Sequence, residues 1–452
     1  MTIRVYTAAG AKLARLGSSA SSRFASSSAA LSPALETLSA TPSGVKIASI
    51  EGPAPAASVS LVVRAGSRFE AAGNNKEQGA AHYLKAFGFK NTKARSAFRV
   101  TREAELQGGS LSATLSRDAI VYTAECLRED VPYFASVLAD IAQETRFAPH
   151  EFTQLREFVH FEAQAAKAEP LTAIVDAAHK VAFRTGLGNS LFVSPENDHV
   201  TLDSLMAYAE RAFNPANVAL IGTGVAHSEL TAAASAAFGE AFAAKKAAAA
   251  VAEASAKYHG GQLNIERDVD VAQYLLAFPT GAASPEAVRV LAALLGGETH
   301  VKWGAAQTPL GAAAEKAGPG ASIGAFALPS NGAGLLAVHV TATPAKIADA
   351  VRAAASQIAS FASGSVAASQ LRRAINAARV EAGDIGTQRQ GQIEHLTARV
   401  SGAQKATIAE SVAALESVSA ADVAALAKSA FSSKPTAVGY GYNLPYADTL
   451  GL

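Results

Sequence analysis

Residues 45–51, VKIASIE, and 57–67, ASVSLVVRAGS, set the reading of the whole chain. Each is strand-like, by period-two alternation or as a short buried run rich in β-branched residues. A second pair of the same kind opens at GQLNIERD (261–268) and VAQYLLAFP (271–279). Working outward, the two stretches are followed by matching partners. A helix-prone segment comes next in each, 77–87 in the first half and 284–296 in the second. Two strands follow: SLSATLS (110–116) with AIVYTAEC (119–126), and GASIGAFALP (320–329) with GLLAVHVTA (334–342). Long helices then lead to a closing strand, NVALIGTG (217–224) or PTAVGYGY (435–442).

A pattern that recurs once in half a chain predicts a duplicated domain. Strands come in runs rather than alternating one by one with helices. The expected class is therefore α+β, two homologous domains, each a mostly antiparallel sheet with helices packed on it. Helix starts agree: Pro149 opens a helix to about Ala168, Thr201 and Asp203 offer caps for 202–213, and Thr343-Pro344 starts 345–363. The Ala-rich stretch 241–258, closed by Gly260-Gly261, is the expected connector, which gives domains 36–240 and 259–452.

Residues 1–35 belong to neither domain. They hold Arg4, Lys12, Arg15 and Arg23 and no acid, the first being Glu36, and serine and alanine dominate. A cationic, acid-free, amphipathic leader has the composition of a mitochondrial transit peptide. Cleavage is expected between Arg23 and Pro33.

Composition excludes several function classes. The net charge of +1 and the lack of a basic stripe interleaved with aromatics argue against nucleic acid. The single cysteine, Cys126 in an apolar run, rules out a disulfide framework or a Cys-type zinc site within one chain, and no C-x-x-C-H is present. No apolar run reaches about 20 residues, so no spanning helix is expected. Any metal would need His and carboxylates.

The stretch EQGAAHYLKAFGFKNT (77–92) is similar to the active-site helix of the M16 metallopeptidases, H-x-x-E-H with a Phe-Lys-Gly-Thr-like tail. In that motif two histidines one turn apart grip zinc and the glutamate beside the second is the general base. The block 103–141, with GGSLSATLSRDAIVY and DVPYFASVLADI, resembles the same family, as does AHKVAF (178–183). The resemblance spans nearly all of 43–450. It places His82 at the first histidine, Lys85 at the base, Ala86 at the second histidine, and Glu162 at the later carboxylate, 76 residues beyond Ala86. One histidine and the base are replaced. The resemblance thus implies no catalytic residue, no metal and no cofactor, with these four as vestigial positions. Lys85 is expected to pair with Glu162 in place of the metal charge, because a carboxylate buried without a cation is costly.

AKYHGGQLNIE (256–266), LLGGETHVKWG (294–304) and the HSEL helix are similar to the non-catalytic M16 branch that forms core subunits of the respiratory ubiquinol–cytochrome c reductase. That implies a peripheral subunit on the matrix side of the mitochondrial inner membrane. Its partners would be core subunit 1, cytochrome b, cytochrome c1 and the Rieske subunit, with a contact between two copies of the chain. The alternative is the presequence-binding α-type subunit of the mitochondrial processing peptidase. That subunit carries a long Gly-rich loop, whereas 296–304 is short and holds only Gly296, Gly297 and Gly304.

Overall fold

In the computed structural model the described residues are 35–451, apart from 72, 240–241, 243–255, 282, 297–307 and 364–365. The expected leader with its cleavage zone, most of the connector 241–258, and the greater part of the 294–304 signature lie outside them.

The described residues of the first half form six strands: β1 (Glu36–Ala40), β2 (Lys46–Ile50), β3 (Ala56–Val63), β4 (Ser110–Leu115), β5 (Ile120–Leu127) and β6 (Val218–Thr223). Its helices are α1 (Ala80–Ala86), α2 (Ala97–Leu106), α3 (Val131–Glu144), α4 (Pro149–Ala168), α5 (Pro170–Phe183), α6 (Leu202–Ala212) and α7 (His227–Ala237). The second half contains β7 (Gly261–Ile265), β8 (Ala272–Pro279), β9 (Ser322–Leu328), β10 (Leu335–Ala342) and β11 (Thr436–Tyr440). Its helices are α8 (Pro285–Leu295), α9 (Pro309–Ala317), α10 (Ile347–Ser363), α11 (Ala368–Thr387), α12 (Arg389–Ser401), α13 (Ile408–Glu416) and α14 (Ala420–Phe431).

The duplication is explicit in the sheets. The first runs β1-β2-β6-β3-β5-β4 and the second β7-β11-β8-β10-β9. Omitting β1, each position matches, and in both the sole parallel pairing among the described residues joins the opening strand to the closing one. All other neighbours are antiparallel. The α+β class with mostly antiparallel sheets is the one observed.

Caps account for the helix starts. Thr201 accepts from the Ser204 amide in a capping box, while Asp203 lies in the first turn of α6 without capping it. Ser284 and Thr308 cap α8 and α9, and Thr407 and Ser419 form capping boxes with Glu410 and Asp422. The helix expected over 77–87 is shorter, because Gly79 holds φ at +94° and the helical turns begin only after it.

Strands β3 and β8 are buried on both faces, with side chains sorting by parity. In the first half Val59, Leu61 and Tyr122 face a core containing α1 and α3, whereas Ile50, Val62, Val121 and Ile221 face the other way. That second face is covered by Ile393, Leu396 and Val400 of α12, a helix of the second half. The exchange is mutual. Leu275, Ala337 and Val438 of the second sheet are covered by Ile174, Ala177 and Ala178 of α5, and Ala277 and Leu335 by Ala182 and Phe183. Each fully buried branched or aromatic side chain contributes about 1.5–3 kcal/mol by leaving water. The crossed helices thus supply a substantial part of both cores. Sequence periodicity predicts apolar helix faces but does not say which sheet they meet.

Candidate functional site

The four positions singled out by the motif come from α1 and α4, and the fold brings three of them into contact. Helix α1 is fixed from below. Tyr122 of β5 donates its hydroxyl to the Leu84 carbonyl at 2.7 Å, and its ring fills the space beside Gly88. A Cβ at Gly88 would lie 2.5 Å from that ring, so the glycine is needed for close approach. The start of α1 has no side-chain cap of its own. Glu70, buried, replaces it by accepting from the Gly79 and Ala81 amides, both at 3.0 Å. Burial pushes the Glu70 pKa up from 4.5 to about 8, against the pull of those two donors.

His82 is fully buried. The Val193 amide donates to its Nδ1 at 3.2 Å, so that nitrogen is an acceptor. The ring proton therefore sits on Nε2, which donates to Glu162 Oε2 at 3.0 Å. Burial, the larger influence, lowers the His82 pKa from its ordinary value, against the pull of the Glu162 hydrogen bond. Phe192 packs edge-on against the His82 ring, with centroids 5.5 Å apart. Lys85 donates its ammonium to the other oxygen of Glu162, which is the expected ion pair. Glu162, engaged on both oxygens, is held down from 4.5 to about 2, first by the His82 hydrogen bond and then by Lys85, despite burial. Ala86 has no polar group to add to this set; it lines a cleft of about 770 Å³ together with Lys85 and Glu162 and with Phe98, Glu151, Leu155 and Phe158.

A second polar cluster joins α1 to α4, and the motif did not point to it. Asp198, with a side chain only 4% exposed, accepts from Tyr83 Oη at 2.6 Å and pairs with His160 Nε2 at 2.8 Å. Arg156 stands at 3.6 Å. Tyr83 follows His82 and His160 lies two residues before Glu162, a proximity that could have suggested them. Asp198 lies in a loop with no pattern to mark it. His179, a checkpoint of the resemblance, is buried in α5; its Nδ1 donates to the Val175 carbonyl at 2.9 Å, and burial lowers its pKa to about 4.

The zinc centre that an H-x-x-E-H pattern implies does not fit these residues. One oxygen of Glu162 already carries an ammonium, and His82 directs its N–H, not a lone pair, at the other. Among the described residues no group of three or more His, Cys, Asp or Glu is arranged to hold a metal ion. The arrangement can bind charge to charge and hold two helices together.

Comparison with known proteins gives the family. Residues 46–194 match the profile of the insulinase family, peptidase family M16, and residues 199–378 match the M16 inactive domain. Cytochrome b-c1 complex subunit 2, mitochondrial, of Cryptococcus neoformans is 37% identical, covering 90% of this chain and 93% of that protein. The Neurospora crassa protein of the same name is 35% identical, covering 94% and 93%. The human one is 30% identical, covering 74% of each chain. With both halves matched and the resemblance continuous along nearly the full length, the chain belongs to the M16 family, in the group of mitochondrial cytochrome b-c1 complex subunit 2 proteins.

Proposed function

We propose that this chain is a non-catalytic core subunit 2 of the mitochondrial cytochrome b-c1 complex, with a structural and assembly role. The observation that carries the proposal is the continuous similarity to proteins of that name, over nine-tenths of both chains in the first case. The closed triad of His82, Lys85 and Glu162 supports the lack of hydrolysis, since it supplies neither a metal cage nor a base.

The finer parts of the reading rest on the resemblance. The partners would be core subunit 1, cytochrome b, cytochrome c1 and the Rieske subunit, with a contact between two copies in the complex dimer. Attachment would be peripheral and on the matrix side. No described helix is long and apolar enough to cross a membrane, which fits attachment through other subunits. Residues 1–35 would be the transit peptide, 36–240 and 259–452 the two M16-like domains, and 241–258 their linker. His82, Lys85, Ala86 and Glu162 would be the remnant of a peptidase site.

Native electrophoresis of detergent-solubilised mitochondria tests this reading. The chain is expected to migrate with the haem-containing cytochromes b and c1. Migration as a small soluble heterodimer without haem would favour the processing-peptidase alternative instead. Peptide hydrolysis by the purified chain that a chelator abolishes would overturn the non-catalytic reading.

A further inference from the structure

The edge strand β1 was not foreseen from the sequence, and its attachments are unusual. By register it pairs only with β2, from Glu36 opposite Ile50 to Ala40 opposite Lys46. A five-residue edge strand whose last three residues are exposed gains little from burial. Its anchor is instead a carboxylate. The Glu36 side chain is 5% exposed and reaches helices encoded some 360 residues later. Oε1 accepts from Arg399 of α12 and lies 3.2 Å from His395 Nε2. Oε2 lies 3.3 Å from the same nitrogen and accepts the Ile408 amide at the start of α13, also at 3.3 Å. Burial alone would raise the Glu36 carboxyl, but the hydrogen bonds from His395 and Arg399 hold it below its ordinary value.

A further tie on the opposite face of the sheet joins the strap to α7 of the first half, and another joins β2 to α12. Ser39 Oγ meets His227 Nε2 at 2.8 Å, and Nδ1 of that ring meets Ser49 Oγ of β2 at 2.8 Å. Lys46 donates to the Val400 carbonyl near the end of α12 at 3.0 Å. The acceptor comes from β1 and its donors from α12 and α13, so Glu36 meets the guanidinium, the imidazole and the helix-start amide only where α12 lies on the first sheet.

We propose that residues 36–40 form a strap, latched by Glu36, that seats only after α12 and α13 have docked and then locks the second half onto the sheet of the first. Without the latch β1 leaves β2, uncovering the β2 edge and loosening α12, while the two sheet centres persist. The latch acts through charge. A neutral isostere keeps the shape but loses the strong acceptor that Arg399 requires, and the guanidinium is left buried and underpaired.

Hydrogen exchange measured by mass spectrometry on the full chain tests this, comparing wild type with Glu36→Gln. Exchange at 36–40 and in α12 is expected to accelerate by about tenfold or more, with β3 and β8 unchanged. Ser39→Ala, a milder change at the other end of the strap, should accelerate 36–40 by a smaller factor and leave α12 protected. In Glu36→Gln/Arg399→Met the second change should add little, because the partner left unpaired has been removed. Equal exchange in wild type and Glu36→Gln would overturn the proposal. So would acceleration spread evenly over both sheets, since that marks Glu36 as a general contributor to stability and not a latch.

Discussion

At the scale of single residues, the decisive exchange is an ammonium for a carboxylate and a methyl for an imidazole on one turn of α1. Because Glu162 is satisfied by His82 and Lys85, the triad is a structural joint between α1 and α4. Lys85→Met should destabilise the chain by about 1 kcal/mol, less than a fully buried pair because Glu162 is partly exposed. Adding Glu162→Gln should recover part of that loss, as read by chemical denaturation. The pH dependence has a definite sign. The Glu162 pKa is depressed in the folded chain, from 4.5 to about 2, so its contribution is complete above about 4.5 and is lost as pH falls towards 2. Wild type should therefore lose more stability across that window than Glu162→Gln, and parallel curves for the two would contradict the assignment. Reversal is also testable. Lys85→Glu with Ala86→His restores the full donor set on the original backbone, and metal analysis of the purified variant should find about one zinc per chain. Absence of zinc would mean that the cleft has closed.

At the scale of elements, the duplication was legible because strand order in each half is written as alternating or short apolar runs, and eleven strands give the same order twice save for one. That one, β1, was missed because a five-residue edge strand with three exposed residues leaves no alternating signature. The contact of His82 and Lys85 with Glu162 was legible through the resemblance to the M16 motif. Asp198 and Glu70 were not, since a loop carboxylate acquires its role only when distant amides and hydroxyls converge on it. The packing beneath α1 offers a sharper check. Gly88→Ala forces a Cβ against the Tyr122 ring and should cost more than Tyr122→Phe, which removes one hydrogen bond worth about 1 kcal/mol. A ranking in the opposite order from thermal unfolding would show that α1 is not seated on that ring.

At the scale of the whole molecule, the two halves are not self-sufficient, because each sheet wears a helix from the other. Residues 36–240 expressed alone should be insoluble or bind a hydrophobic dye, with Ile50, Val62, Val121 and Ile221 uncovered. Co-expression with 259–452 should restore a soluble, cooperatively unfolding pair. Soluble, well-folded isolated halves would show that the crossing is dispensable. The same crossing governs how the chain bears mechanical load. A pull that separates the halves cannot peel one seam and then the next, since both cover helices must slide off together. The resistance is that of two bolts sheared in parallel. A chain built this way holds its halves together through two apolar interfaces at once.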